Sequence, residues 1–332
     1  MPFEQSLLFL FGLVSIFLYL LIVRTLKKHR KTPLLGGTFF KLVVLQFYAE
    51  TFFFLEFSLT MRFRKYTDFY LLFEPGTEFT GIVPRVISGV HYYVKVVVYI
   101  GYTVFAINRL LSALTVSSYN SQNISVWGPS IIRWITITQW SVPILAVLPT
   151  HAWPDFQFFL QITATAMRLN NDAFSTALIS YVDGFCCLAT CVFCIICYII
   201  TGFLIRKNWK RNSTTVFKKS SSQSSAERGL FISAVLSFCV LMLNLTVQIL
   251  KIIISWNEMT NIFAAYDISY PMVDLMYSHY PWVLIVTSSV LRRQLVYDVK
   301  LLIRNTLRLD EASMSMSRNG QTNAASKTSP AT

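Results

Sequence analysis

Apolar residues gather along this chain into seven blocks of about 20, the length that crosses the hydrocarbon core of a bilayer. The blocks run over 6–23, 38–60, 86–107, 131–148, 178–205, 230–255 and 268–291, with polar, charged or turn-forming stretches between them. Lipid offers no partner for a free backbone N–H or C=O, and the alternation of a spanning barrel strand is missing, so each block is predicted to be a helix. The second block is the most polar, with Lys41, Glu50 and Glu56 inside it; Lys41 lies near enough to the end to snorkel. The opening MPFEQ is acidic and RTLKKHRKT follows the first block in place of a small-residue cleavage site, so that block is expected to be a retained helix.

After the last block, Leu295, Val299, Leu302 and Ile303 share a helical face flanked by Arg292, Arg293, Lys300, Arg304 and Arg308. This pattern predicts a short amphipathic helix on the inner leaflet. Beyond it the chain is rich in Ser, Thr, Asn and Ala, with Ser313, Ser315 and Ser317 as phosphorylation candidates. The expected division is a membrane domain over 1–308 and a disordered cytosolic tail over 309–332. No internal repeat and no Gly/Ser linker separates a further domain. The fold class expected is an all-α membrane protein, a seven-transmembrane helix bundle with its N-terminus outside and an amphipathic C-terminal helix.

Composition agrees: of 332 residues, 54% are hydrophobic and 14% charged, against about 25% charged in soluble domains. Charge then sets the orientation. With the N-terminus outside, the cytosolic side collects 21 lysines and arginines: five from Arg24 to Lys31, then Arg109 and Arg133, seven from Arg206 to Arg228 and seven from Arg292 to Lys327. The opposite side collects five, namely Arg62, Arg64, Lys65, Arg85 and Arg168, so the positive-inside rule favours this orientation. Arg62, Arg64 and Lys65 run against it and are assigned to lipid headgroups at the end of the second helix. The net charge of +13 is therefore read as an orientation signal with some contact to membrane lipid, and nucleic acid is not an expected partner. The sequons at Asn123 and Asn212 fall in cytosolic loops and that at Asn244 inside the sixth helix, so none should be glycosylated. Cys186, Cys187, Cys191, Cys194 and Cys197 crowd the fifth helix and Cys239 lies in the sixth; they read as packing residues, leaving none for an outer-loop disulfide. No metal site and no cofactor is expected.

The third block, HYYVKVVVYIGYTVFAINRLLSAL, carries the candidate chemistry. His91, Lys95, Tyr99, Tyr102, Ala106 and Arg109 follow one another at steps averaging 3.6, so they share a face running from the outer half of the helix to its cytosolic end. A charge inside the membrane costs at least about 2.5 to 3.5 kcal/mol unless it is paired. Glu50, Glu56, Asp183 and Asp274 are the candidate partners, and Lys251 is a further cation that pairs with one of them or snorkels. A static ion pair that fixes helix packing and a ligand pocket built from His91, Lys95, Tyr99, Tyr102, Asp183 and Asp274 both remain open at this point. In the seventh block Tyr270, Asp274, Tyr277 or Ser278, and Pro281 follow at helical steps, and Pro281 marks either a hinge or a fixed bend.

Seven spans, an outer N-terminus and Asn108-Arg109 at the inner end of the third helix resemble the rhodopsin-like G-protein-coupled receptors. Only the arginine of that group's Asp-Arg-Tyr motif matches, since Asn108 and Leu110 depart from it. INRLLSAL, a following loop with Trp127, and HYPWVLIVTSSVLRRQ are closer to the nematode serpentine chemosensory receptors, class gamma (Srg) or a closely related class. Tyr280-Pro281 stands where that group often has Asn-Pro. The resemblance implies a chemosensory receptor in a sensory neuron's plasma membrane, in the cilium. It binds a small external chemical ligand and signals to a heterotrimeric G protein through Asn108 and Arg109. The alternatives are a ligand-gated channel or a small-molecule transporter; paired repeats are missing. No HExxH, paired-aspartate or Ser/His pattern suggests an enzyme.

Overall fold

The computed structural model describes residues 3–32, 35, 37–117, 127–153, 155–163, 166–171, 173–212, 221–257 and 262–305. The tail, the serines at 313, 315 and 317, and Asn123 lie outside these residues. Seven long helices form the bundle: α1 (Phe3–Lys28), α2 (Thr38–Tyr66), α3 (Ile82–Ser117), α4 (Pro129–Ala152), α5 (Ala173–Asn212), α6 (Ser221–Asn257) and α7 (Ile262–Thr287). An eighth, α8, spans 289–305 after a one-residue break at Ser288. Six of them, α1 to α6, are long and apolar enough to cross a membrane. At 26 residues α7 is about 39 Å long, but it turns Ser269, Asp274, Ser278 and His279 into the bundle, which lowers its apolar content.

Burial follows what a bilayer demands. Leu145 on α4, Phe185 on α5 and Phe17 on α1 are exposed on the outside of the bundle, where lipid would meet them. Aromatic residues fill the interior. The half of the core next to α8 joins Tyr19, Ile22, Phe39, Phe47, Phe105, Tyr280 and Leu284, and Tyr19 donates its hydroxyl to the Val43 carbonyl at 3.1 Å. Cys187, Cys191, Cys194 and Cys197 pack in the other core cluster beside Leu241 and Tyr99, as small apolar residues would.

The second helix departs from the expected span. It runs six residues past position 60, and Phe57–Phe63 is π-helical. A π turn bonds i to i+5 and so turns less per residue. Ser58 and Arg62, four residues apart, both remain on the buried side. The seventh helix ends earlier than its apolar block: Pro281 lies within it, and the interruption falls at Ser288.

The sequence pattern also gave no sign of the strands between the helices. The α2–α3 and α4–α5 connections join in an antiparallel sheet of order β1-β2-β3: β1 (Glu78–Thr80), β2 (Phe158–Ile162) and β3 (Met167–Asn171). Leu160 faces Leu169 across the β2–β3 pair and Phe79 across the β1–β2 pair. Phe158, Leu160 and Ile162 alternate inward and pack on Tyr92, Ile179, Tyr70 and Ile87. Gly76, at φ +91°, makes the turn into β1 and donates its N–H to the Ile162 carbonyl at 2.8 Å. With no cysteine in either connection, backbone hydrogen bonds tie the two loops together.

At the opposite end, α8 docks on α1. Lys28 donates to Asp298 at 2.7 Å, and the His29 ring lies 3.1 Å from the same carboxylate. Partial burial raises the affinity of Asp298 for its proton, but the hydrogen bonds from Lys28 and His29 outweigh it and hold the carboxyl below its usual range. Leu295 is buried and Val299 packs on the core, while Leu302 and Ile303 stay exposed, as an interfacial helix requires. This end also carries Arg24, Lys27, Arg30, Lys31, Arg292 and Arg293, the basic side of the charge asymmetry.

Helices α6 and α7 approach closely where α7 ends. A β-carbon on Gly229 would lie 2.1 Å from the Thr287 carbonyl oxygen, a backbone atom that moves only with its helix. Gly229→Ala is expected to cost about 1 to 3 kcal/mol by forcing these helices apart. A fall in the thermal midpoint of the detergent-solubilised protein checks this, and an unchanged midpoint would contradict the packing described.

Candidate functional site: a cross-paired polar interior

The polar face of α3 turns into the bundle. Lys95, Tyr99, Tyr102, Ala106 and Arg109 are all buried, and His91 is half-buried above them. Lys95 forms its ion pair with Asp183 of α5, and both side chains are at most 3% exposed. Tyr99 donates to the same carboxylate at 3.2 Å and accepts from Asn244 of α6 at 2.9 Å. In the amide orientation that satisfies both neighbours, Gln248 accepts from Lys95 at 2.8 Å and donates to Asp183 at 3.2 Å. Asn244 and Gln248 are one turn apart, so α6 presents two amides to a charge pair held between α3 and α5. The burial of Asn244 also agrees with its sequon standing unmodified.

A second ion pair, between α2 and α7, engages another candidate acid, Asp274. Nη2 of Arg62 lies 2.5 Å from both carboxylate oxygens of Asp274, and the Arg62 side chain is fully buried. Tyr277 donates to that carboxylate too, Gln5 of α1 accepts from Arg62 Nε at 3.4 Å, and the guanidinium carbon lies 5.2 Å from the Phe57 ring centre. The assignment of Arg62 to lipid headgroups is therefore corrected. Near the end of an apolar run in sequence it looked like a boundary residue, but the π turns continue the helix and carry it inward. Arg64 is corrected with it: it is buried and donates to the Thr60 and Met167 carbonyls at 2.6 and 2.8 Å, fastening β3 to α2. Lys65 Nζ lies 5.0 Å from the ring centres of Tyr66 and Tyr270.

The remaining candidates fall around these pairs. The His91 Nδ1 is 3.0 Å from Glu56, which Thr60 also engages. Tyr102 donates to the Met276 carbonyl at 3.2 Å, deeper between α3 and α7. Glu50 accepts from Gln46 at 3.0 Å, and Gln139 of α4 donates to Gln46 and to the Val97 carbonyl, both at 3.2 Å. Gly101 makes room for this cluster, since a β-carbon there would sit 1.8 Å from the Gln46 amide oxygen. So the six residues assembled from sequence divide: Lys95, Tyr99 and Asp183 share one network, Asp274 belongs to another, His91 pairs with Glu56, and Tyr102 bonds backbone.

At the inner end Asn108 and Arg109 are buried, at 2% and 7% exposure. The Arg109 guanidinium lies over the Phe39 ring of α2, its carbon 3.8 Å from the ring centre. The arginine that the sequence places at the cytosolic end of α3 is thus covered. Sequence reasoning missed Arg62, Gln248 and Phe39. For Gln248 a signal existed, an Asn-Gln pair at i, i+4 in an otherwise apolar block, whereas Phe39 carried none.

Seven long helices with charges paired across them, a strand-tied outer end and an amphipathic helix at the basic inner end make this a seven-helix membrane bundle. Residues 8–301 match the family model described as serpentine type 7TM GPCR chemoreceptor Srv, and the chain belongs to that family. It is an integral membrane protein of the serpentine chemoreceptor group, in a class related to the gamma class that the sequence resembled. No curated protein matches it.

Leaving one member of a buried pair alone costs about 3 to 5 kcal/mol, whereas replacing both by apolar residues can be nearly neutral. Arg62→Met alone is therefore expected to abolish delivery to the cell surface, and Arg62→Met with Asp274→Leu to recover most of it. Surface immunolabelling of tagged receptor reads this. A double variant no better than the single would contradict the pairing.

Proposed function

We propose that the protein is a chemosensory receptor of the neuronal plasma membrane that takes a small external chemical between α3, α5 and α6 and signals to a heterotrimeric G protein. The observation that carries this reading is the Lys95–Asp183 pair with its ring of Tyr99, Asn244 and Gln248. Three helices contribute to it, so a molecule that exchanged hydrogen bonds with any of these groups would change how the helices are held. A ligand shifts such an equilibrium only by its differential affinity for the two arrangements, and a buried, mutually bonded network offers that difference. Membership in a G-protein-coupled chemoreceptor family supports the coupling.

On this reading His91 and Tyr102 border the ligand from above and below, while Asp274 acts through α7, whose Tyr277 and Tyr280 pack toward α1, α2 and α3. Pro281, with no N–H to give the preceding turn, is where α7 would yield. Asn108 and Arg109 would meet the G protein when the inner end opens.

The test is a G-protein reporter cell screened with volatile and water-soluble chemicals. For any chemical that activates the receptor, Tyr99→Phe is expected to raise the half-maximal concentration about tenfold, the effect of one buried hydrogen bond. Lys95→Met with Asp183→Leu should reach the surface and give no response. Unchanged dose–response curves in both would remove the pocket from this position. A response that survives Arg109→Ala would remove G-protein coupling through that residue.

A further inference from the structure

The inner end of α3 shows an arrangement that the reading above leaves without a task. Arg109 is almost wholly buried, and its charge rests on the face of Phe39, the second residue of α2. The ring is itself held in place: Phe40 meets it edge-on at 5.4 Å, and Phe105, one turn before Arg109 on α3, lies 5.5 Å away. Phe105 then leans on Tyr280 of α7 at 5.3 Å, the neighbour of Pro281. Asn108, the residue beside the arginine, carries no charge.

We propose that Phe39 is the resting latch of this receptor, an aromatic ring that keeps Arg109 inside the bundle until α7 moves. The proposal rests on the reading that Arg109 serves the G protein. A guanidinium removed from water needs compensation, and the negative face of an aromatic ring contributes to it. A desolvated contact of this kind shifts a two-state equilibrium by roughly 10- to 30-fold. The contact belongs to the closed arrangement alone, because an arginine that reached out to a partner would leave the ring. Displacement of Tyr280 would pass to Phe105 and then to Phe39 through rings already in contact, so α7 and Arg109 bias the same element.

Two variants push the latch in opposite directions. Phe39→Leu keeps an apolar residue and removes the π face; Phe39→Trp strengthens it. Each is made with and without Asn108→Cys, and two quantities are read. The first is the rate at which a membrane-impermeant thiol reagent labels Asn108→Cys in inside-out vesicles, corrected for the rate without that cysteine. The second is ligand-free reporter signal per receptor at the surface. Phe39→Leu is expected to raise both about tenfold and Phe39→Trp to lower both. Labelling rates equal to the parent's in both variants would overturn the latch. Altered labelling with unaltered signal would uphold the latch and remove the G-protein role of Arg109. Should Phe39→Leu fail to reach the membrane, slower labelling in Phe39→Trp supports the proposal and an unchanged rate overturns it.

Discussion

Charge inside a bilayer has nowhere to go but to a partner, and the interior of this bundle is organised by that requirement. Two buried ion pairs, Lys95 with Asp183 and Arg62 with Asp274, tie α3 to α5 and α2 to α7. Neither pair gains much over an apolar contact of equal size, since desolvation offsets most of the attraction. What the pairs supply is register. An apolar helix slides or rotates against its neighbours at little cost, whereas a helix that would strand a lysine in hydrocarbon does not. The hydrogen bonds from Tyr99, Tyr277 and Gln248 then orient the charged groups, so helix positions and polar chemistry depend on one another.

That interdependence separates what the sequence discloses from what it conceals. The spans were legible because hydrocarbon thickness dictates a block length, and the α3 column was legible because 3.6-residue spacing lies within one helix. Pairing lies between helices, and four acids competed for Lys95 on equal terms. Arg62 was misplaced because a charge near the end of an apolar run normally marks a membrane boundary; two features out of its sight, the π turns and Asp274, decided otherwise. The outer sheet left almost no trace. Its first strand has three residues, and MRLNN lacks the alternation of a half-buried strand, so only pairing with β2 makes either one a strand.

The two ends of the molecule are built on different physics. Backbone hydrogen bonds, with Arg64 as a clasp, close the outer end without a disulfide among the described residues. The inner end depends on aromatic packing, the Asp298 carboxylate and a close passage of α6 by α7. On the proposed function this asymmetry has a use, because an end that opens is best held by contacts worth a few kilocalories at most. On the proposed latch, a movement of α7 would reach Arg109 through Tyr280 and Phe105, whose rings are in contact and pack in discrete arrangements.

The account stands or falls on whether the buried charges recognise each other across helices. A charge exchange measures that directly: Lys95→Glu, Asp183→Lys and the two together, each assayed for receptor at the cell surface. Each single variant buries two like charges side by side and should lose most of its surface receptor, while the exchanged pair should regain a substantial part of it. If the exchanged receptor were as depleted as the singles, or the singles as abundant as the parent, the charges would not be what fixes these helices.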